Sequence, residues 1–322
     1  MKNLKDFEQY LNTNKGKSDG FPRDINFSFS NDGKTLHSEL VGKQNKKDIR
    51  RFDPWTFAVI AELKRMVGID VSNVKFKINK SNNTDKNFNL NFQSLRRRLS
   101  FLSINNKNIK LELALNGENI ALDNKKTLFD RPNNEIIRIK KISQRSEDND
   151  QNLIEKAFQS FLYGKGLKER TNDRLALLGE DFYQMKGKAV RVLREFPTGV
   201  FNNEVTDSNR LLPTEFVDIV TLNKWMKLAV VELKVDNSEL EVISQILDYG
   251  LFFTCYRNQI FQIPDIKNAF NINQNDKSDI FSYVANNRFH PHFDNILPFY
   301  STKNKNYGFQ LRKIVMGETT QI

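Results

Sequence analysis

The chain has 322 residues, enough for one large or two ordinary domains, because a single core rarely grows past ~250 to 300 residues. A hydrophobic fraction of 39% with 26 Phe lifts it out of the disordered range. Its single cysteine excludes an intramolecular disulfide framework or a multi-cysteine zinc site, and no uncharged apolar run approaches the ~18 residues of a membrane helix. The net charge of +11 is unevenly spread, with 29 Lys and Arg against 19 Asp and Glu in residues 1–150 and 21 against 20 thereafter. The basic first half suits a polyanion whose condensed counterions are released on binding, or else a well-solvated surface. Cys255, set in LFFTCY, reads as a buried structural thiol. With no apolar stretch behind the N-terminal lysines, a reducing, cytoplasmic setting is expected.

In chain order, INFSFS, NDG and KTLHSELV predict a β-hairpin with a tight turn. DPWTFAVIAELKRMVGID predicts a helix with Asp53 as N-cap, Pro54 at its first position and Gly68 at its end. VKFKIN and NIKLELAL are expected strands, with FQSLRRRLSFLS a helix between them, which makes residues 1–145 a basic α+β domain. EIIRIKKI alternates like an edge strand. SQRSEDNDQN, residues 143–152, then carries no large apolar side chain and reads as the linker to a second domain, 152–322.

That domain opens with LIEKAFQSFLYGKG, where Leu153, Phe158, Phe161 and Leu162 have helical spacing. A second helix is expected from Asn172 to Gly187, followed by the strand AVRVLREF and a long turn-rich connection, PTGVFNNEVTDSNRLLP. TEFVDIVTL and MKLAVVELKV complete a three-strand meander. DNSELEVISQILDYGLFFTCYRN then forms a helix, with Ser238 and Glu241 in capping-box spacing and Leu240, Ile243, Ile246, Leu247 and Gly250 on one face.

The tripeptide ELK occurs in both halves, and periodicity separates the two copies. In the predicted helix, Glu62 and Lys64 lie about 200° apart and read as solvated surface charges, while Phe57, Ile60, Ala61 and Val67 form the buried stripe. In the predicted strand, Glu232 and Lys234 share one face while Val231, Leu233 and Val235 take the other. A carboxylate and an ammonium on an apolar central strand are costly to desolvate without partners. Asp218 interrupts the previous strand, FVDIV, where a short hairpin would bring it beside Glu232. Two such carboxylates suit Mg²⁺ or Mn²⁺.

Helix, strand, strand with Asp218, strand with Glu232-Leu233-Lys234, and helix with Gln245 and Tyr249 together resemble the PD-(D/E)XK, or restriction-endonuclease-like, nuclease superfamily. The branch most similar pairs ELK with a Q-x-x-x-Y helix. The resemblance covers residues 172–256, and Val217 stands where the superfamily's name has proline. It implies a mixed sheet flanked by helices, and a metal held by Asp218, Glu232 and the carbonyl of Leu233. Lys234 would position or deprotonate the attacking water, Gln245 would orient it or touch the backbone, and Tyr249 would pack or contact phosphate. Glu180 is expected as the acidic residue of the first helix, with Glu169 and Asp181 as rivals. The activity implied is endonucleolytic cleavage of nucleic acid, DNA above all, in restriction or defence, and because cutting two strands needs two such sites a homodimer or larger homo-oligomer is expected. The alternative is a non-catalytic nucleic-acid-binding or assembly protein on the same fold.

Other motifs carry less. His290 and His292 in RFHPHF have no acidic or cysteine partner at close spacing and read as packing and turn residues, while His37 stands alone in the hairpin. Neither G-x-G-x-x-G nor G-x-x-x-x-G-K occurs, which argues against nucleotide hydrolysis. Arg96, Arg97 and Arg98 suit either phosphate contact or a solvated helix face.

Overall fold

A computed structural model describes residues 3–17, 20–80, 85–137, 153–163, 172–183, 192–270, 279–302 and 309–317. The expected linker and Glu169 lie outside the described residues. The fold is α+β, with mixed sheets flanked by helices. Among the described residues no helix is long and apolar enough to cross a membrane. Two compact units form: Met1–Asp130 with Ile243–Gln245 and His290–Tyr300, and Arg131–Val242 with Ile246–Phe289 and Ser301–Ile322.

In the first unit, α1 (Leu4–Asn14) precedes the antiparallel hairpin of β1 (Ile25–Phe29) and β2 (Thr35–Leu40). There follow α2 (Lys46–Val67), β3 (Asn73–Ile78), α3 (Phe88–Asn105), β4 (Lys110–Leu115), β5 (Glu118–Ile120) and α4 (Lys125–Phe129). The sheet order is β1-β2-β3-β4-β5, and β2, β3 and β4 run parallel because α2 and α3 supply the crossovers. Alternation is clean in β3, where Val74, Phe76 and Ile78 are buried and Lys75 and Lys77 exposed.

Helix α2 ends where expected, at Gly68 in the left-handed region with φ 82°, but starts earlier than predicted. Asn45 is the N-cap and forms a capping box with Asp48, a better cap because each side chain satisfies the other's backbone N–H. Pro54 therefore sits inside the helix, and Asp53 is no cap. Asp53 is fully buried and accepts hydrogen bonds from the Arg98 guanidinium at 2.8 and 3.1 Å, Ser244 Oγ at 3.0 Å and the Tyr300 hydroxyl at 2.8 Å. The node ties both returning pieces of chain, 243–245 and 290–300, to α2. Burial and the charge of Asp53 push the Tyr300 hydroxyl pKa well up, which keeps it a donor.

The second unit begins with β6 (Glu135–Ile137), α5 (Leu153–Tyr163), a 3-10 segment at Asn172–Leu178, and α6 (Glu180–Tyr183). The single helix expected from Asn172 to Gly187 is thus divided, because Gly179 adopts φ 103° between the two pieces. Next come β7 (Leu193–Pro197), β8 (Val200–Asn202), β9 (Arg210–Leu212), β10 (Phe216–Leu222), β11 (Leu228–Lys234), α7 (Val242–Cys255), α8 (Arg257–Ile260), α9 (Pro264–Phe270) and β12 (Ile280–Asn286). Then α10 (Phe293–Tyr300) falls in the first unit and β13 (Phe309–Val315) returns to the second. The expected meander is present, with β10 antiparallel to both β7 and β11, and the sheet continues through parallel β12 and β13 in the order β13-β12-β11-β10-β7. The connection read as mere turns contributes β8 and β9 to a small antiparallel sheet with β6; three-residue strands are too short to show alternation.

Both faces of the large sheet are covered, since Val231 and Leu233 on one side and Val220 and Val230 on the other are fully buried. Leu162 of α5 packs on the face that holds Val231 and Leu233. Helix α7 starts at Val242 after Glu241, without the Ser238 capping box; Asn237 takes the turn instead, accepting the Glu239 N–H at 2.9 Å. Gly250 lets α7 approach β13, for a Cβ there would stand 1.9 Å from the Phe309 ring. Cys255 is half-buried at the end of this helix.

Removing one partner of a buried ion pair leaves a charge without compensation. Asp53→Ala should cost about 3–5 kcal/mol in denaturant unfolding, and adding Arg98→Leu should return much of that loss. A loss below about 1 kcal/mol would contradict the node's role.

Candidate active site

The register of β10 with β11 builds the site. Ile219 pairs with Val231, which sets the preceding Asp218 across from Glu232 on the same sheet face. Glu232 is buried, its side chain 2% exposed, and its Oε1 lies 2.7 Å from the Lys234 ammonium on the same strand. Its other oxygen, Oε2, is buried without a hydrogen-bond partner among the described residues. Asp218 Oδ2 accepts the backbone N–H of Leu233 at 2.8 Å, and its Oδ1 accepts from Gln159 Nε2 at 3.0 Å. A third carboxylate comes from α5, where Glu155 Oε1 lies 3.4 Å from Lys234 Nζ.

Electrostatics follow from this crowding. Desolvation, then the charge of Glu232, pushes the Asp218 carboxyl well above the usual carboxylate range, and Lys234 and the Leu233 N–H only partly offset it. Burial alone would pull Lys234 down, but Glu232, Asp218 and Glu155 outweigh it and raise the ammonium above its ordinary value. Lys234 is thus held as the ammonium, placed to donate hydrogen bonds and to stabilise negative charge. Among the described residues three carboxylates, Asp218, Glu232 and Glu155, lie around the Lys234 ammonium, and Glu232 Oε2 is buried without a hydrogen-bond partner. That donor set fits a hard divalent cation. Among the described residues no group of three or more His, Cys, Asp or Glu is placed to hold a metal.

The structure thus brings Asp218, Glu232, Leu233 and Lys234 together, and it corrects other assignments. Glu180 is exposed at the start of α6, and the helix-borne carboxylate at Lys234 is Glu155. Asp181 is committed elsewhere, to Arg312 at 2.9 Å, the Tyr283 hydroxyl at 3.0 Å and Lys224 at 3.5 Å. Tyr249 is a packing residue rather than a phosphate contact: it is buried and its hydroxyl donates to the Phe216 carbonyl at 3.1 Å. Gln245 is half-buried within the Ile243–Gln245 stretch counted with the first unit. There, Arg98 is withdrawn from any phosphate-binding surface by Asp53, Arg97 is buried, and Arg96 is engaged by Asp123 at 2.9 Å. The helical ELK also departs from expectation, since Glu62 is buried against Arg65 at 2.5 Å and His292 at 3.4 Å, while Lys64 is exposed.

Glu155, Gln159 and Arg194 were missed. Glu155 and Gln159 stand four apart in LIEKAFQSF and so share one helix face, which was the available signal. No protein family, curated protein or solved structure matches the chain.

An aspartate whose folded pKa is raised binds its proton more tightly when folded. Its burial therefore costs stability as pH rises from the ordinary carboxylate pKa to the raised one, and the cost stays constant above that. The Tm of the chelator-treated protein relative to Asp218→Ala should fall across this window, as read by calorimetry from pH 4 upward. A pH-independent difference would remove the shift assigned to Asp218.

Proposed function

We propose that the second unit is a divalent-metal-dependent phosphodiesterase acting on nucleic acid, DNA first, in the manner of the PD-(D/E)XK nucleases that its motifs resemble. The observation that carries the reading is the buried, unpartnered Oε2 of Glu232 beside Asp218 and Lys234 on adjacent strands. Asp218 and Glu232 would hold Mg²⁺ or Mn²⁺, with the Leu233 carbonyl as the third protein ligand that the resemblance implies. Such an ion, when bound, polarises the scissile phosphate and acidifies a coordinated water.

The chain's own residues then supply three things. Lys234, held by Glu232 and Glu155, presents a fixed positive charge to the phosphate oxygens as negative charge grows on them. Water is limited because the strands carrying the ligands are covered on both faces. The excess of Lys and Arg in the first 150 residues favours a polyanionic substrate. Cleavage of both strands of a duplex would bring two copies of the chain together, and defence against foreign DNA in the cytoplasm is the setting that the resemblance suggests.

Incubation with plasmid, single-stranded DNA and RNA tests this reading, with Mg²⁺, Mn²⁺ or chelator and beside Lys234→Ala. Cleavage should require the metal and fall roughly 10²- to 10³-fold in the variant, the usual effect of losing one preorganised charge. Chelator-resistant cleavage, or an unaffected variant, would sink the mechanism; binding without cleavage of every substrate would favour a nucleic-acid-binding protein on a nuclease-like fold.

A further inference from the structure

The strand bearing Asp218 is held by a device that the motif does not contain. Strand β7 pairs Phe196 with Val217 and Arg194 with Ile219; between them Glu195 adopts the left-handed conformation, φ 51°, which is strained for a side chain of this size. Across from that distortion, Gln159 of α5, only 4% exposed, donates Nε2 to both the Asp218 carbonyl at 3.2 Å and Asp218 Oδ1 at 3.0 Å. Its Oε1 accepts Arg194 Nε at 2.7 Å, and Arg194 Nη1 donates to Ser160 Oγ at 2.8 Å.

The polarity of this chain is fixed. A guanidinium can only donate, so the Gln159 oxygen faces Arg194 and the amide nitrogen must face Asp218. Asp218 is thereby obliged to accept at Oδ1, while the Leu233 N–H obliges it to accept at Oδ2. We infer that Gln159, oriented by Arg194, is a positioning residue that presets the Asp218 carboxylate, in one orientation and as an acceptor at both oxygens, for the cation of the proposed nuclease site. The inference rests on the reading of that site as a metal centre. Neither Gln159 nor Arg194 is asked to touch substrate; each acts through Asp218, as residues behind a metal ligand do.

Two measurements decide it. The first uses chelator-treated protein and hydrogen-bond polarity. Asp218→Asn offers its oxygen to Leu233 and turns its amide against that of Gln159, donor to donor; Gln159→Glu sets a second carboxylate against Asp218. Asp218→Asn also relieves the repulsion from Glu232, and Gln159→Glu also loses the bond to the Asp218 carbonyl, so the pair is read as a double-mutant cycle. Asp218→Asn should raise Tm more in the Gln159→Glu background, where it restores a donor–acceptor pair and leaves an acceptor for Arg194, than in the wild-type background. Additive effects would overturn the inference.

The second measurement is Mn²⁺ affinity by calorimetry in the absence of nucleic acid. Gln159→Leu should weaken it roughly ten- to a hundredfold. Arg194→Met should do the same, with Arg194→Lys, which keeps a donor, largely rescuing it. Unchanged Mn²⁺ affinity in a folded Gln159→Leu protein would also overturn the inference. Both effects in the variants, with no nucleic acid cleaved by the wild-type protein, would remove the nuclease reading and leave this one standing.

Discussion

Antiparallel pairing of β10 with β11 places two carboxylates, the half-buried Asp218 and the buried Glu232, side by side. Neighbouring charges of one sign at such a place repel strongly, since little dielectric screening remains. The groups around them act against that repulsion: the Lys234 ammonium, the Leu233 N–H and the Gln159 amide. Their compensation is incomplete, and a further carboxylate, Glu155, adds to the deficit. Among the described residues, the second unit therefore holds buried carboxylates that their neighbouring donors only partly compensate.

This arrangement can exist only because the strands have no freedom to slip. A shift of one residue would turn every side chain of β11 to the opposite face, driving Glu232 into the core that Val231 and Leu233 now occupy. Val220, Val230, Val231 and Leu233 are all fully buried, so the apolar residues that set the register are the same ones that fix the carboxylates. Stability and site geometry here have one cause, and the core need not be weakened for the charges to meet.

Strand periodicity made most of this legible in advance. The alternation in VVELKV and the apolar frame of FVDIV were enough to pair Asp218 with Glu232, because a hairpin between consecutive strands leaves few registers open. What was not legible depended on contacts distant in sequence. Glu155 and Gln159 lie about sixty to eighty residues from the strands they serve, and nothing local marks which helix will face the site. Asp53 read as a helix cap because Pro54 follows it, yet the capping box of Asn45 and Asp48 lies further upstream and leaves Asp53 inside the helix, where Arg98, Ser244 and Tyr300 can reach it. Local spacing describes elements well. It does not tell which buried charge will find partners.

The two ELK copies make that distinction concrete. Helical geometry separates Glu62 from Lys64, yet Glu62 is as buried as Glu232: their side chains are 3% and 2% exposed. Burial alone therefore does not set the strand copy apart. Glu62 meets the Arg65 guanidinium through both oxygens, with His292 beside it, and its charge is matched by donors already in the chain. Glu232 has one oxygen on Lys234 and, among the described residues, no donor for the other, next to an aspartate that resists ionisation. A satisfied buried carboxylate adds to the fold's specificity and has no use for an external ion. One that keeps a buried oxygen without a donor, on strands too well packed to move away, is the feature on which the proposed metal site rests.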